Sequence, residues 1–398
     1  MKITLLGTGS GDALTLTKAA EQALLEAGCI IGARRLLAQL PENCTANRVA
    51  ATKPQAILEG LKANRDKPCV VAYSGDSGFY SGCRSLLPLL REKEVAVLPG
   101  ISSVQLLAAA LGRPWQDWNL VSAHGVHCSA VAAVMQGRPA FFLTGGTLGP
   151  AALCAQLVQA GLGTLPVTVG EDLGTEAEKV TTSTAAVCAE GSFSSLSVLL
   201  AEPAPRGPER TPGWPDSWFI RGQVPMTKQM VRTAVLACLA PATDAVVWDV
   251  GAGTGSVSVE LAAVARQGQV FAVECVPEAC ELIRANRQKF AAWNLELVPG
   301  TAPDALTALP APDAVFIGGT RGGMQAIVDT VLARNPAARL CMTAIALESV
   351  CAAMQALQAH GIEPKVTQLA VSTAKAAGRV HMLTAQNPIF VITGNCDD

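Results

Sequence analysis

The chain has 398 residues, 30 Lys and Arg against 32 Asp and Glu, and a formal net charge of −2; half of its residues are hydrophobic and only 4% are aromatic. That length exceeds one ordinary core and fits two domains of roughly 150–200 residues. Charge is evenly shared, with 15 basic and 16 acidic side chains in residues 1–205, so neither half offers the basic surface that a nucleic acid requires. The 13 cysteines are an odd number and form no Cys-x-x-Cys pair, which argues against a disulfide framework and against zinc or iron–sulfur sites. The start turns glycine-rich within seven residues, too soon for the apolar core of a signal peptide. The uncharged run Val95–Gly112 is broken by Pro99-Gly100 and Ser102-Ser103 and makes a poor membrane span. The expected compartment is the cytoplasm.

Along the first half, Ile3–Leu6, Cys69–Tyr73 and Val95–Leu98 read as strands that end at glycine-rich turns. Helical patterns occupy Leu16–Glu26, Tyr80–Arg91 and Ser103–Leu111. After Pro114 come strand candidates Leu120–Ser122, Ala140–Leu143, Pro166–Val169 and Ser197–Leu200, with a helix over Pro150–Ala160. Two α/β lobes account for this half better than one sheet. Five prolines between Glu202 and Trp218 prevent a regular helix or central strand, which sets the expected division at residues 1–204, a linker over 205–217, and a second domain over 218–398. There the strand candidates are Ala245–Val250, Val270–Glu274, Leu295–Val298, Ala314–Ile317, Leu340–Ile345, Val366–Val371 and Ile389–Thr393. Helices fall at Ser256–Ala265, Pro277–Phe290, Gly323–Leu332 and Glu348–Ala359. Seven strands, the last two joined without a helix, suit an open doubly wound sheet.

The sharpest motif follows the first strand of the second half: Asp249-Val250-Gly251-Ala252-Gly253-Thr254-Gly255, then a helix from Ser256. Glycines let backbone approach a ligand closely, and the helix start aims N–H groups at it. Glu274 closes the next strand, where an acidic side chain can accept hydrogen bonds from ribose hydroxyls. A dinucleotide site needs Gly-x-Gly-x-x-Gly, but residue 256 is Ser. With its glycines at 251, 253 and 255 the loop resembles that of class I S-adenosylmethionine (SAM)-dependent methyltransferases. Flanking runs narrow the resemblance to the decarboxylating precorrin methyltransferases of cobalamin biosynthesis: Val224-Pro225-Met226-Thr227-Lys228, Gly300-Thr301-Ala302-Pro303-Asp304, Asp313–Gly319 and Gly378-Arg379-Val380-His381. That resemblance implies SAM contacts from Thr227, Gly251, Ala252, Gly253, Thr254, Gly255, Glu274 and Ala302. The turn Gly319-Thr320-Arg321-Gly322-Gly323 departs from the family pattern by about one residue.

In the first half, Gly7-Thr8-Gly9-Ser10-Gly11-Asp12, Ser74-Gly75-Asp76-Ser77-Gly78-Phe79-Tyr80 and Leu98-Pro99-Gly100-Ile101-Ser102-Ser103 follow a different arrangement. With Val121–Gly125 and Phe141–Gly146 they resemble the class III tetrapyrrole methyltransferases, most closely the subfamily acting on precorrin carbon 5. The family usually has proline where Ser10 stands, so the first turn loses a stiffening ring. The resemblance implies SAM contacts from Gly75, Asp76, Ser77, Ser102, Ser103 and Thr144, with Asp12 and His124 on the substrate side. Asp76 in a tight turn has a second reading, an Asx-turn to its own backbone. His124 and His127 have metal-like spacing but no Cys or acidic cluster beside them, and no metal is expected.

The resemblance implies an α/β protein with a two-lobed class III domain followed by a class I domain with a seven-stranded sheet. It implies SAM-dependent methylation of a precorrin at carbons 5 and 15, with loss of carbon dioxide from the ring C acetate, and a homo-oligomeric assembly. An anionic tetrapyrrole needs cations. Lys228, Arg321, Lys375 and Arg379 fall on loops at strand ends, and Arg321 and Arg379 are the preferred catalytic-side candidates. Neither a nucleic acid nor a membrane is an expected partner. Two alternatives stay open on the residues alone: fused methyltransferases acting on another small anionic metabolite, and a SAM-binding scaffold with one inactive half.

Overall fold

Ile3–Gly7 is buried at all five residues, and that run is an interior strand of a parallel sheet covered on both faces, where strands read as largely apolar stretches. The computed structural model describes residues 2–12, 15–41, 43–91, 93–125 and 128–396. Contacts divide the chain into two units, one of Met1–Ala130, Arg138–Gln159 and Gly163–Pro203, the other of Val131–Gly137, Ala160–Leu162 and Ala204–Asp398.

The first unit holds two five-stranded sheets. One is parallel, in the order Asn47–Ala50, Cys29–Gly32, Cys69–Tyr73, Ile3–Gly7, Val95–Leu98. The other is mixed, in the order Asn119–Ser122, Ala140–Leu143, Ser197–Ala201, Pro166–Glu171, Lys179–Thr184. Two sheets match the two-lobed expectation. The strand pair Cys29–Gly32 and Asn47–Ala50 was not legible from periodicity, nor was Lys179–Thr184, whose residues are polar apart from Val180 and none of which is fully buried. The helix expected over Tyr80–Arg91 is shorter. Tyr80 takes a left-handed φ of +47°, so the helix starts only at Cys83, makes one turn to Leu86, and tightens to a 3₁₀ turn over Leu87–Leu90 at Pro88.

The second unit holds a seven-stranded sheet in the order Leu295–Pro299, Gln269–Glu274, Val246–Val250, Ala314–Ile317, Arg339–Ala344, Ile389–Gly394, Lys365–Leu369. Ile389–Gly394 runs antiparallel to both neighbours. Alternate residues of each strand feed opposite cores: Val247, Ala272, Phe316 and Cys341 on one face, Trp248, Val250, Val273, Ile317 and Met342 on the other. Chain order reverses between Val246–Val250 and Ala314–Ile317, which opens a crevice at the carboxyl ends of those strands. The stretch before Ile389, expected as a loop, is a hairpin: Ser372–Ala377 pairs with Val380–Ala385 around Gly378-Arg379. Gly378 supplies the positive φ that so tight a turn requires. Both hairpin strands are exposed throughout.

The proline-rich stretch is partly built into this unit. Trp214 is 3% exposed and stacks on Phe290 with ring centres 5.0 Å apart. Its indole N–H donates to the Arg210 carbonyl at 3.0 Å.

Candidate functional sites

In the second unit a cavity of about 720 Å³ opens at the crevice and is lined by Thr227, Gly251, Ala252, Gly253, Thr254, Glu274 and Ala302, with Lys228 and Arg321 at its wall. Seven of the eight residues singled out there from sequence therefore meet in one cavity. Gly255 stands behind them: it precedes the helix Ser256–Val264 with φ +74°, and a Cβ on it would press on Ile283.

Strand register explains the geometry. Val250 pairs with Val273, which brings Glu274 level with the loop that leaves Val250. Glu274 Oε2 accepts from Gly253 N at 2.8 Å, and Oε1 accepts from Cys275 N at 2.8 Å and Val276 N at 2.9 Å. One carboxylate thus holds the glycine loop and its own following turn while keeping lone pairs for a ligand. Gly251 has φ +74°, and a Cβ there would lie 2.6 Å from the Gly319 carbonyl oxygen. Only glycine fits that contact. Thr254 keeps a buried hydroxyl with no partner among the described residues.

Asp249, at the foot of the loop, is fully buried. Its Oδ2 accepts a hydrogen bond from Ser258 Oγ, and its Oδ1 has no partner among the described residues. Burial pushes its carboxyl up to about 7, and the nearby Glu274 charge pushes the same way against the Ser258 hydrogen bond. Arg321 sits in the Gly319–Gly323 turn with φ +48°, an uncommon conformation for a residue with a side chain. The structure does not bring Arg379 or Lys375 to this cavity. Both lie in the exposed hairpin, Arg379 at its turn.

The first unit has a cavity of about 430 Å³, lined by Gly9, Ser10, Gly75, Asp76, Ser102, Ser103, His124 and Thr144. Its three glycine loops leave the carboxyl ends of adjacent strands and meet backbone to backbone. A Cβ on Gly100 would lie 2.3 Å from the Gly75 carbonyl oxygen, and one on Gly7 would lie 2.6 Å from the same atom. Asp76 is the stitch: Oδ1 accepts from Gly78 N at 2.8 Å, the Asx-turn, and Oδ2 accepts from Gly100 N at 3.0 Å. Ser77 faces inward instead of lining the cavity, donating its hydroxyl to the Leu98 carbonyl at 3.0 Å. Thr144 Oγ1 donates to Ser197 O at 2.6 Å. Gln105 Oε1 accepts from both N and Oγ of Ser102, which sets the start of the helix at Ser103.

Ser10 replaces ring stiffness with hydrogen bonds. Its hydroxyl donates to Gly174 O at 2.9 Å and lies 2.9 Å from Thr15 Oγ1. Asp12 does not line the cavity; its carbonyl accepts from Thr15 N. His124 packs against Gly145, where a Cβ would meet its Nδ1, and His127 lies outside the described residues. No group of three or more metal-ligating side chains occurs among the described residues, nor any helix long and apolar enough to cross a membrane.

Sequence reasoning missed Arg35 and Tyr80. Arg35 lines the first cavity from the short helix Arg34–Ala38 and donates to Gln39 Oε1 at 3.0 Å and Ser74 Oγ at 3.1 Å. No motif marked it; the signal was position alone, just past a strand of the parallel sheet. Tyr80 donates its hydroxyl to Leu120 O at 2.8 Å.

Two family profiles match the sequence. The tetrapyrrole (corrin/porphyrin) methylases match residues 2–188, and the precorrin methyltransferase domain matches residues 217–394. Among curated proteins, the chain is 34% identical over 340 residues to the precorrin-6Y C(5,15)-methyltransferase (decarboxylating) of Sinorhizobium sp, covering 83% of this chain and 82% of that protein. The Mycobacterium tuberculosis protein of the same name is 31% identical, covering 91% and 92%. A probable cobalt-precorrin-6B C(15)-methyltransferase (decarboxylating) from Pyrobaculum calidifontis is 40% identical, covering 47% of this chain and 97% of that one.

Proposed function

The chain belongs to the precorrin-6Y C(5,15)-methyltransferase (decarboxylating) family, and we propose that its two cavities divide that family's work. It is a SAM-dependent C-methyltransferase of cobalamin biosynthesis acting on a precorrin. We assign the carbon 5 methylation to residues 1–204, and the carbon 15 methylation with decarboxylation to residues 218–398, joined through 205–217. The observation that carries this reading is the pair of separate glycine-lined cavities, one in each unit.

The residues present fit the methyl donor. In the second cavity Gly251 and Gly253 supply Cβ-free backbone, Thr254 a hydroxyl unpartnered among the described residues, and Glu274 an acceptor for ribose hydroxyls, with Thr227 and Ala302 closing the sides. In the first, Gly75, Asp76, Ser102, Ser103 and Thr144 form the donor side, and Ser77 supports them from behind. SAM supplies an electrophilic methyl group when bound. The chain's task is to orient the two reactants within reacting distance and to exclude water.

Lys228 and Arg321 are the cations at the second cavity and would hold substrate carboxylates. Arg35, with His124 on the same cavity wall, would do so at the first. Arg379 has no part at either cavity in this reading. Loss of carbon dioxide breaks the bond from the acetate methylene to its carboxyl carbon. The electron pair left behind enters the conjugated macrocycle and is later neutralised by a proton, so the substrate is its own electron sink. The even charge of both halves favours this small anionic partner over nucleic acid, and the enzyme we propose is homo-oligomeric and cytoplasmic. Purified protein given SAM and the reduced precorrin is expected to add two methyl groups and release one carbon dioxide per substrate. A product with one added methyl, or none, overturns the two-site reading.

A further inference from the structure

Arg232 is a fully buried guanidinium. It sits in the helix Gln229–Leu239, which begins directly after the cavity-wall residues Thr227 and Lys228. Its Nη1 donates to Thr227 O at 2.6 Å and to Asp216 Oδ1 at 2.7 Å. Its Nε donates to Glu260 Oε1 at 3.1 Å, and its Nη2 to Trp214 O at 2.5 Å. Phe219 covers the guanidinium, with its ring centre 4.5 Å from Cζ.

The partners come from two other segments. Glu260, also fully buried, belongs to the helix Ser256–Val264 that leaves the glycine loop. It accepts from Gly213 N and Trp214 N, each at 2.9 Å. Asp216 accepts from Gln229 N at 2.9 Å, and Gln229 Nε2 donates to Gly213 O at 2.7 Å. Residues 213–216 of the proline-rich stretch are therefore bonded both to the helix behind the glycine loop and to the helix behind Thr227.

A planar fork bonded in three directions fixes the spacing of the groups around it, which a flexible ammonium does not. Out of water such bonds are also strong. Nothing in donor chemistry needs a buried Arg–Glu pair at this depth, and burial of that pair is costly in itself. What the cluster does is fix the Thr227 backbone relative to the glycine loop.

We infer that Arg232 is a positioning residue for the donor cavity of the second unit, and that Asp216 makes the proline-rich lead-in part of that cavity's framework as well as a connection. This rests on the reading of that cavity as a SAM site. Asp216 is the informative position to perturb, because its side chain is 30% exposed and Arg232 keeps Glu260 as a counter-charge when it is lost.

The test is calorimetric titration of the full-length protein with SAM, alongside thermal unfolding. The parent is expected to show two binding events. Asp216→Ala is expected to weaken only the second-unit event, by about tenfold, and to raise the KM for SAM in the carbon 15 step with kcat largely kept. The first-unit event should stay within twofold. Asp216→Glu, which keeps the acceptor, is expected to recover most of the affinity. Arg232→Lys should weaken the same event further; if it fails to fold, the two Asp216 variants decide. A parent with two events and an Asp216→Ala protein with both affinities unchanged overturns the inference and leaves the two-site reading standing, even if that variant melts earlier. A parent without a second-unit event overturns the reading on which the inference rests.

Discussion

Replacing Asp249 by asparagine removes a titration that the fold has displaced, and the consequence for stability can be worked through. Asp249 is fully buried, takes one hydrogen bond from Ser258, and leaves its other oxygen unpartnered among the described residues. Its carboxyl is raised from 3.8 to about 7, chiefly by burial. A folded-state value above the unfolded one means that the proton favours the folded state. The contribution is complete below pH about 4, declines as the pH rises, and is gone above pH about 7. A gap of about three units corresponds to roughly 4 kcal/mol at 1.36 kcal/mol per unit. The amide of the variant cannot ionise. The stability difference between Asp249→Asn and its parent should therefore shift in the variant's favour by about 3–5 kcal/mol between pH 4 and pH 8. Urea unfolding of both proteins without ligand, at four pH values across that range, measures it. A difference that stays flat with pH refutes the claim that Asp249 is carried neutral in the folded core at acidic pH.

Other perturbations report on the two cavities. Gly251→Ala forces a Cβ to within 2.6 Å of the Gly319 carbonyl oxygen at φ +74°; it should cost at least ~1–2 kcal/mol from the backbone alone and abolish SAM binding in the second unit, read by calorimetry. Arg35→Met should raise the KM for the tetrapyrrole in the carbon 5 step about tenfold, as expected for one lost charge-assisted contact, while the SAM affinity of that cavity stays within twofold. Arg379→Ala, at the hairpin turn, should leave the kcat and KM of the carbon 15 step within twofold; a tenfold loss would return Arg379 to the substrate side.

How far these features could be read in advance follows from what each residue does. The inner parallel strands of the second unit, Gln269–Glu274, Val246–Val250, Ala314–Ile317 and Arg339–Ala344, were legible because parallel strands buried on both faces are apolar runs, and the glycine loop because three positive-φ positions in one turn admit little else. The hairpin Ser372–Ala385 gave no such signal: its side chains bury nothing, so neither period nor hydrophobicity marks it. The ends of the expected Tyr80–Arg91 helix were wrong because a left-handed Tyr80 is invisible to a helical pattern. In the donor sites, residue type indicated proximity better than direction. Asp76 and Ser77 lie where their motif implied, but Asp76 spends one oxygen on the Asx-turn of its own loop and the other on joining that loop to Gly100, and Ser77 points away from the cavity. Arg232 was unreadable for a different reason. Arginine is ordinarily a surface residue, and the partners that let this one be buried are brought to it by the proline-rich stretch and by a helix 28 residues on.

The central claim is that one chain binds the methyl donor at two independent places. Equilibrium dialysis of the intact protein against radiolabelled SAM tests it most directly, with Glu274→Gln and Asp76→Asn run in parallel. The account predicts two molecules bound per parent chain and about one for each variant at the same free concentration, each variant keeping the site the other loses. One molecule per parent chain, or two retained by both variants, would contradict it.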